Sequence, residues 1–151
     1  MPPGQIDGEG SINLVSIGDY GRPKARFPGS FGSAYLYYVV PRVILFREEH
    51  SPRVLVPKVE FVSAAGNPAA LLTGKALFSW QKDRRRFRLE SLHDGGEEDL
   101  RRQTGFDYDA PAEVPRTPPP GAEELALLRG PVAREMARNY PDFAQKVWGL
   151  D

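Results

Sequence analysis

The stretch "PGSFGS" (Pro28–Ser33) puts two glycines and two serines into six residues, just ahead of an apolar, tyrosine-rich run. Small residues at that spacing leave backbone N–H groups accessible. Such groups can hold a phosphate or the oxyanion of an acyl-transfer intermediate. The same composition also serves an ordinary turn between two elements. Lys24 and Arg26 flank the loop and offer positive charge to a phosphate or carboxylate, though lone basic residues in a loop equally suit solvated surface. "Glu9-Gly10" echoes a Glu-x-Gly nucleophile, but an acidic residue between two glycines reads as a solvated turn. His50 and His93 stand far apart, with no cysteine or carboxylate spacing around them, so no metal is expected. There is no Gly-x-Ser-x-Gly elbow, and the absence of cysteine excludes thiol nucleophiles, disulfides and cysteine-ligated metals.

The elements that must position this loop follow from the surrounding pattern. Ser11–Gly18 alternates as a strand after the turn residues Asp7–Gly10, and "GDYGRPKARFPG" reads as loop. A short helix beginning near Ser30 must end before Pro41. Val43–Arg47 suits a buried strand, and Val54–Val62 is extended, with Pro57 pointing to an edge or an interruption. Leu71–Trp80 and Arg86–Leu92 read as antiparallel neighbours joined by the charged turn "QKDRRR". Glu97–Gln103 reads as a helix stopped by Gly105. The proline-rich segment 111–120 must be extended, and it could dock a polyproline-binding module or serve as a strap. Ala122–Arg129 is a helix with Glu123 and Glu124 in its first turn, broken at Gly130-Pro131, and helical pieces follow at Val132–Asn139 and Asp142–Trp148.

A chain of 151 residues is large enough for one α/β domain with a real core. Twenty basic and twenty acidic residues cancel. That balance argues against nucleic acid or an anionic membrane as partner, and the basic turn Arg84–Arg86 lacks the interleaved aromatics that stack bases. The N-terminus shows no secretory signal, and the most apolar run, Ala34–Phe46, is interrupted and too short to span a bilayer. A cytoplasmic location is expected.

Four words, in order, run from Gln5 to Arg129: "QIDGEGSINLVSIGDYGRPKARFPGSFGS", "PKVEFVSAAG", "LLTGKALFSW…FRLESLHDGG" and "TGFDYDAPAEVPRTPPPGAEELALLR". The series resembles the C-terminal half of the B subunit of family I CoA-transferases, of the glutaconate CoA-transferase type, and the related acyl-CoA ring-opening hydrolases. The resemblance implies a parallel-sheet α/β domain of the NagB/RpiA/CoA-transferase type, spanning 1–151 as a single domain. Within it, 111–120 would be the strap and 121–151 the terminal helices. It also implies coenzyme A as the substrate thioester, no metal, and an oligomer with an A-type subunit.

In such enzymes a glutamate carboxylate attacks the acyl-CoA thioester, giving an acyl anhydride and then a glutamyl-CoA thioester, while glycine-loop amides hold the oxyanion. The Ser-Glu-(Asn/Ser)-Gly motif carrying that glutamate precedes "QID" in the family. The chain therefore reads as truncated at the N-terminus, with no catalytic residue of its own and a partner supplying the nucleophile. The family loop Gly-Ser-Gly-Gly-Ala-Asn-Asp aligns with Gly29, Ser30, Phe31, Gly32, Ser33, Ala34 and Tyr35. Phe31 in place of a glycine is expected to restrict approach to the backbone. Lys24 and Arg26 are the candidate CoA or carboxylate contacts. The alternative is a non-catalytic assembly or regulatory relative, with Phe31 and Tyr35 filling the acyl-CoA space.

Overall fold

A computed structural model describes residues 1–149, which form two compact units, Met1–Thr117 and a second that begins at Pro118. Leu150 and Asp151, the end of the expected helical tail, lie outside the described residues. Among the described residues no helix is long and apolar enough to cross a membrane.

The first unit is mixed α/β. Strand β1 (Gln5–Ile6) pairs antiparallel with β2 (Ser11–Asn13), and β2 pairs with β6 (Ala64–Ala65). The expected strand 11–18 is broken at Leu14-Val15, so β3 (Ser16–Ile17) pairs with β4 (Ala25–Arg26) inside what the sequence suggested was loop. Helix α1 (Ser33–Val39) ends before Pro41, with Val40 already extended, as the residue before a proline prefers. The larger sheet has the order β5 (Ile44–Arg47), β7 (Ala70–Thr73), β8 (Ala76–Gln81), β9 (Arg86–Leu92). Only β5–β7 is parallel; β7–β8 and β8–β9 are antiparallel, which corrects the expected parallel sheet to a mixed one. The expected extended run 54–62 contains no strand beyond a bridge from Leu55 to Ile6.

The sheet alternates faces. Leu45, Leu71, Phe78, Phe87 and Leu89 are fully buried, whereas Ile44 and Phe46 face outward. Fully burying side chains of this size stabilises by about 1.5–3 kcal/mol each. Phe78 is the hub, packing edge-on against Phe87 and Tyr108 and stacking with His50. The run 71–80 is split into two strands because the chain turns at Gly74, where any Cβ would collide with the Glu48 carbonyl oxygen. The Thr73 hydroxyl closes that turn by accepting the N–H groups of Lys75 and Ala76 at 3.2 and 3.1 Å.

The segment leading to the prolines covers the free edge of β9. Leu89 and Leu92 donate to the carbonyls of Asp109 (2.7 Å) and Pro115 (3.0 Å), and Thr117 donates to Leu92 (2.8 Å). A proline lacks a donor but keeps its acceptor, so it can cap an edge without extending the sheet. Helix α2 (Glu97–Gln103) ends at Thr104 and buries Leu100.

In the second unit, α3 (Ala122–Leu127) does not break at Gly130-Pro131. It passes through a π turn at Leu128–Val132 into α4 (Ala133–Asn139), followed by α5 (Pro141–Trp148). The wider turn absorbs the missing N–H of Pro131 and its clash with the preceding carbonyls.

His50 ties the sheet to α2 from a buried position. Its ring nitrogens lie 2.8 Å from Thr73 Oγ1 (Nδ1) and 2.9 Å from Thr104 Oγ1 (Nε2). The tautomer that satisfies the chain carries its proton on Nε2, donating to Thr104, whose hydroxyl donates to the Leu100 carbonyl at 2.8 Å. Thr73 then donates its one proton to Nδ1 in preference to the more distant Ala76 carbonyl at 3.2 Å. Burial, with Lys75 nearby, lowers the His50 pKa from 6.5 to about 4. An unfolded chain therefore binds a proton near pH 6.5 that the folded chain refuses until about pH 4. This contribution is present above pH 6.5 and is lost as pH falls from 6.5 to 4. Urea titrations between pH 7 and 4.5 should show the native chain losing up to roughly 3 kcal/mol more than a His50→Ala variant. Parallel losses in the two proteins would refute the assignment.

Candidate functional site

The strands around the loop are only two or three residues long, so side chains take over the work of a ladder. Fully buried Asn13 donates from Nδ2 to Gln5 Oε1 (2.8 Å) and to the Ser16 carbonyl (2.7 Å). Its Oδ1 accepts the N–H groups of Val15 (3.0 Å) and Ser16 (3.3 Å). Gln5 donates to Glu60 Oε1 (2.9 Å) and accepts the Glu60 N–H (3.1 Å), and Glu60 Oε2 accepts the Gly18 N–H at 2.6 Å. Two of those bonds, from the Gly18 amide first and the Gln5 amide second, hold the Glu60 carboxyl below the usual range. The network bends the chain from β2 into β3 and pins the start of the segment that reaches the glycine loop. Buried Asp7 does the same for the preceding turn, accepting the N–H groups of Glu9, Ser11 and Val59 at 3.1, 2.9 and 3.2 Å.

The loop itself is open. Gly29 and Gly32 adopt φ of 102° and 74°, the left-handed region where a side chain is strained, and Gly32 caps α1. Phe31 is not in that region, and its ring is fully in solvent. Ala34 and Leu36 send their N–H groups back to Ser30 (3.2 Å) and Gly32 (2.9 Å). The five N–H groups from Gly29 to Ser33 have no acceptor among the described residues. Behind the loop, α1 is held by Tyr37, whose buried hydroxyl donates to the Gly10 carbonyl at 2.7 Å. Tyr38 accepts the Ala65 N–H at 3.0 Å.

Gly29 and Ser33 border a cleft of about 310 Å³ whose other walls include Leu14, Ile17, Phe27 and two arginines, Arg47 and Arg53. The arginines share Glu49, at 3.7 Å from Arg47 Nη2 and 3.2 Å from Arg53 Nε. Hydrogen bonds from Arg53 and Ser51 keep the Glu49 carboxyl below its ordinary range. A carboxylate so engaged orients guanidinium groups and makes a poor nucleophile.

Of the residues singled out from sequence, the structure brings Gly29 and Ser33 to the cleft, and Ser30, Phe31 and Gly32 between them do not line it. Lys24 and Arg26 lie outside it. Arg26 donates to the Tyr20 carbonyl at 3.0 Å and lies over the Tyr20 ring. Glu9 is exposed in its turn, and His93 bonds Thr117 at 2.6 Å. Sequence reasoning missed Arg47 and Arg53. The only signal was an arginine closing the apolar run "VILFR" and a second at i,i+4 from Glu49, a pattern that reads as a solvated turn.

No protein-family model matches the chain, but individual relatives do. The B subunit of the 3-oxoadipate CoA-transferase of Pseudomonas knackmussii is 29% identical, over 88% of this chain and 57% of the relative. The B subunit of the glutaconate CoA-transferase of Acidaminococcus fermentans is 28% identical, over 73% of this chain and 47% of the relative. The decarboxylase AibA/AibB superposes with a TM-score of 0.76 at 26% identity, over 85% of this chain and 54% of that one. The chain is thus similar in sequence and fold to CoA-transferase B subunits, and it spans about half the length of the curated relatives it matches.

Asn13→Ala would leave three backbone groups without their side-chain partner in a buried site and take one of its bonds from Gln5 Oε1. The expected loss is about 2–4 kcal/mol. It should appear as a lower urea midpoint at unchanged m-value.

Proposed function

We propose that the chain is the loop-bearing part of a CoA-transferase B subunit, acting on acyl-CoA thioesters together with a partner that supplies the nucleophilic glutamate. The observation that carries this reading is the run of five unpaired N–H groups from Gly29 to Ser33 beside a cleft with two arginines. When a carboxylate adds to a thioester carbonyl, negative charge grows on the carbonyl oxygen. Fixed amide donors stabilise that charge without having to reorganise. The carbon–sulfur bond then breaks to give an acyl anhydride and CoA thiolate. Attack of the thiolate on the glutamyl carbonyl releases the acyl carboxylate and leaves a glutamyl-CoA thioester.

This chain's part is to hold the oxyanion and admit the substrate. Lys24 and Arg26, ahead of the donor run, are the cationic contacts for CoA or for a carboxylate on the acyl group. AibA/AibB, named a decarboxylase, has the same fold, so the fold alone does not choose the chemistry. The similarity to two CoA-transferase B subunits and the donor array favour acyl transfer.

A partner is also supported by the surface. Val39 and Val40 at the end of α1, with Ile44 and Phe46 on β5, leave a run of apolar side chains about half exposed. The non-catalytic alternative has less support, because Phe31 and Tyr35 project into solvent and fill no cavity of this chain.

The test is reconstitution with an A-type chain and the portion bearing the glutamate, incubation with acyl-CoA, and trapping with hydroxylamine or borohydride. Mass spectrometry should find the modified glutamate on the partner and none on this chain. Gly29→Ala combined with Gly32→Ala should lower kcat by about 10²–10³ while the complex still assembles. No trapping and no CoA binding with any partner would sink the reading.

A further inference from the structure

A second cleft, of about 480 Å³, lies at the other end of α1, between that helix, the loop after β6 and the β8–β9 hairpin. Its walls include the rings of Tyr38 and Trp80, the side chain of Asn67, and two cations, Lys82 and Arg85. The aromatic walls are fixed. Trp80 donates from Nε1 to Asn67 Oδ1 at 3.0 Å and meets the Phe87 ring edge-on with centroids 4.8 Å apart. Tyr38 is fixed by the Ala65 N–H bond on its oxygen.

The hairpin divides its positive charge between two sides. Arg84 is bound to Asp109 at 2.6 Å, and Arg86 approaches Asp109 and Asp107 at 3.7 and 3.8 Å. Lys82 and Arg85, which line the cleft, have no carboxylate partner among the described residues, and Asp83 between them does not line it. Arg85 also has a φ of 48°, alone among the described non-glycine residues in the left-handed region. Such a conformation costs roughly 1 kcal/mol or more and is worth a functional reading when the side chain it presents is unpaired.

We propose that this cleft binds a nucleoside phosphate. Fixed rings take the base by stacking, with the Asn67 amide donors at its edge, and the two free cations take the phosphates. The 3′-phosphoadenosine end of the CoA thioester is the source that suits the function above. That choice of source rests on the acyl-transfer reading; the nucleoside-phosphate chemistry does not.

The experiment uses the full chain with Trp148→Phe, which leaves Trp80 as its single tryptophan. Adenosine 3′,5′-bisphosphate and ADP are each titrated against its fluorescence. Binding should change the Trp80 emission and weaken with salt. Lys82→Ala with Arg85→Ala should reduce affinity about tenfold or more. Arg84→Ala, a single charge removed from the other side of the same turn, should not. Tighter binding of the 3′,5′-bisphosphate than of ADP assigns the site to CoA, and equal binding assigns it to free nucleotides. No emission change with either nucleotide, or equal weakening by Arg84→Ala, overturns the proposal. In the reconstituted complex the double variant should raise KM for acyl-CoA about tenfold. A native complex without turnover would count against the acyl-transfer reading alone, while turnover with KM unmoved by the double variant would count against this cleft.

Discussion

The structure depends on burying polar side chains where backbone ladders are too short to hold the chain. The five strands of the two small sheets, β1 to β4 and β6, have two or three residues each, and a hairpin of that size has little stability in water. Asn13, Gln5 and Asp7 supply the missing bonds from inside, each satisfied on more than one side. A buried amide or carboxylate with all its partners is specific as well as stabilising, because any other path of the chain would leave it unpaired. The geometry of the loop is inherited from that demand. The bends at Gly18 and Ser16 are fixed first, and Lys24 to Ser33 must leave from where they end.

Edges pose the complementary problem. A four-stranded sheet exposes two rows of unpaired backbone groups, and this chain treats them differently. Along β9 the segment 109–117 bonds through the carbonyls of Asp109 and Pro115 and the N–H groups of Asp109 and Thr117, and its prolines prevent further strand addition. Along β5 the Met1 amine reaches the Ile44 carbonyl at 2.9 Å and Phe46 donates to Met1 at 2.8 Å, while Ile44 and Phe46 stay outward. One edge is closed by the chain itself. The other carries apolar side chains suited to covering by protein.

Much of this was legible in sequence where a local rule dominates. Pro41 ended α1, Gly105 followed α2, and the charged turn 82–85 joined two antiparallel strands. The failures came where a distant contact overrode the local pattern. Gly74 sits against the Glu48 carbonyl, and the run 71–80, read as one strand, is two. The π turn at 128–132 carries Pro131 through a helix that local rules would stop. Arg47 and Arg53 join the cleft only because β5 and the turn after it lie beside Gly29, a juxtaposition no spacing in the chain announces. The ordered resemblance pointed to the fold, but it could not say which arginines line the cleft.

Phe31 illustrates how a departure in sequence can leave a loop's backbone intact. A glycine is required only where the backbone turns left-handed or where something must approach its Cα. In this loop the left-handed positions are 29 and 32, and both are glycine, with open space where a Cβ would stand. Position 31 has ordinary backbone geometry, so a phenylalanine there costs the loop nothing in conformation. Its ring stands in solvent. A row of backbone N–H groups is specified by φ and ψ and by the elements at its two ends, with little demand on the side chains between. The serine and phenylalanine of "GSFGS" are therefore free to vary, while the network behind Gly18 and the two tyrosine bonds behind α1 are not.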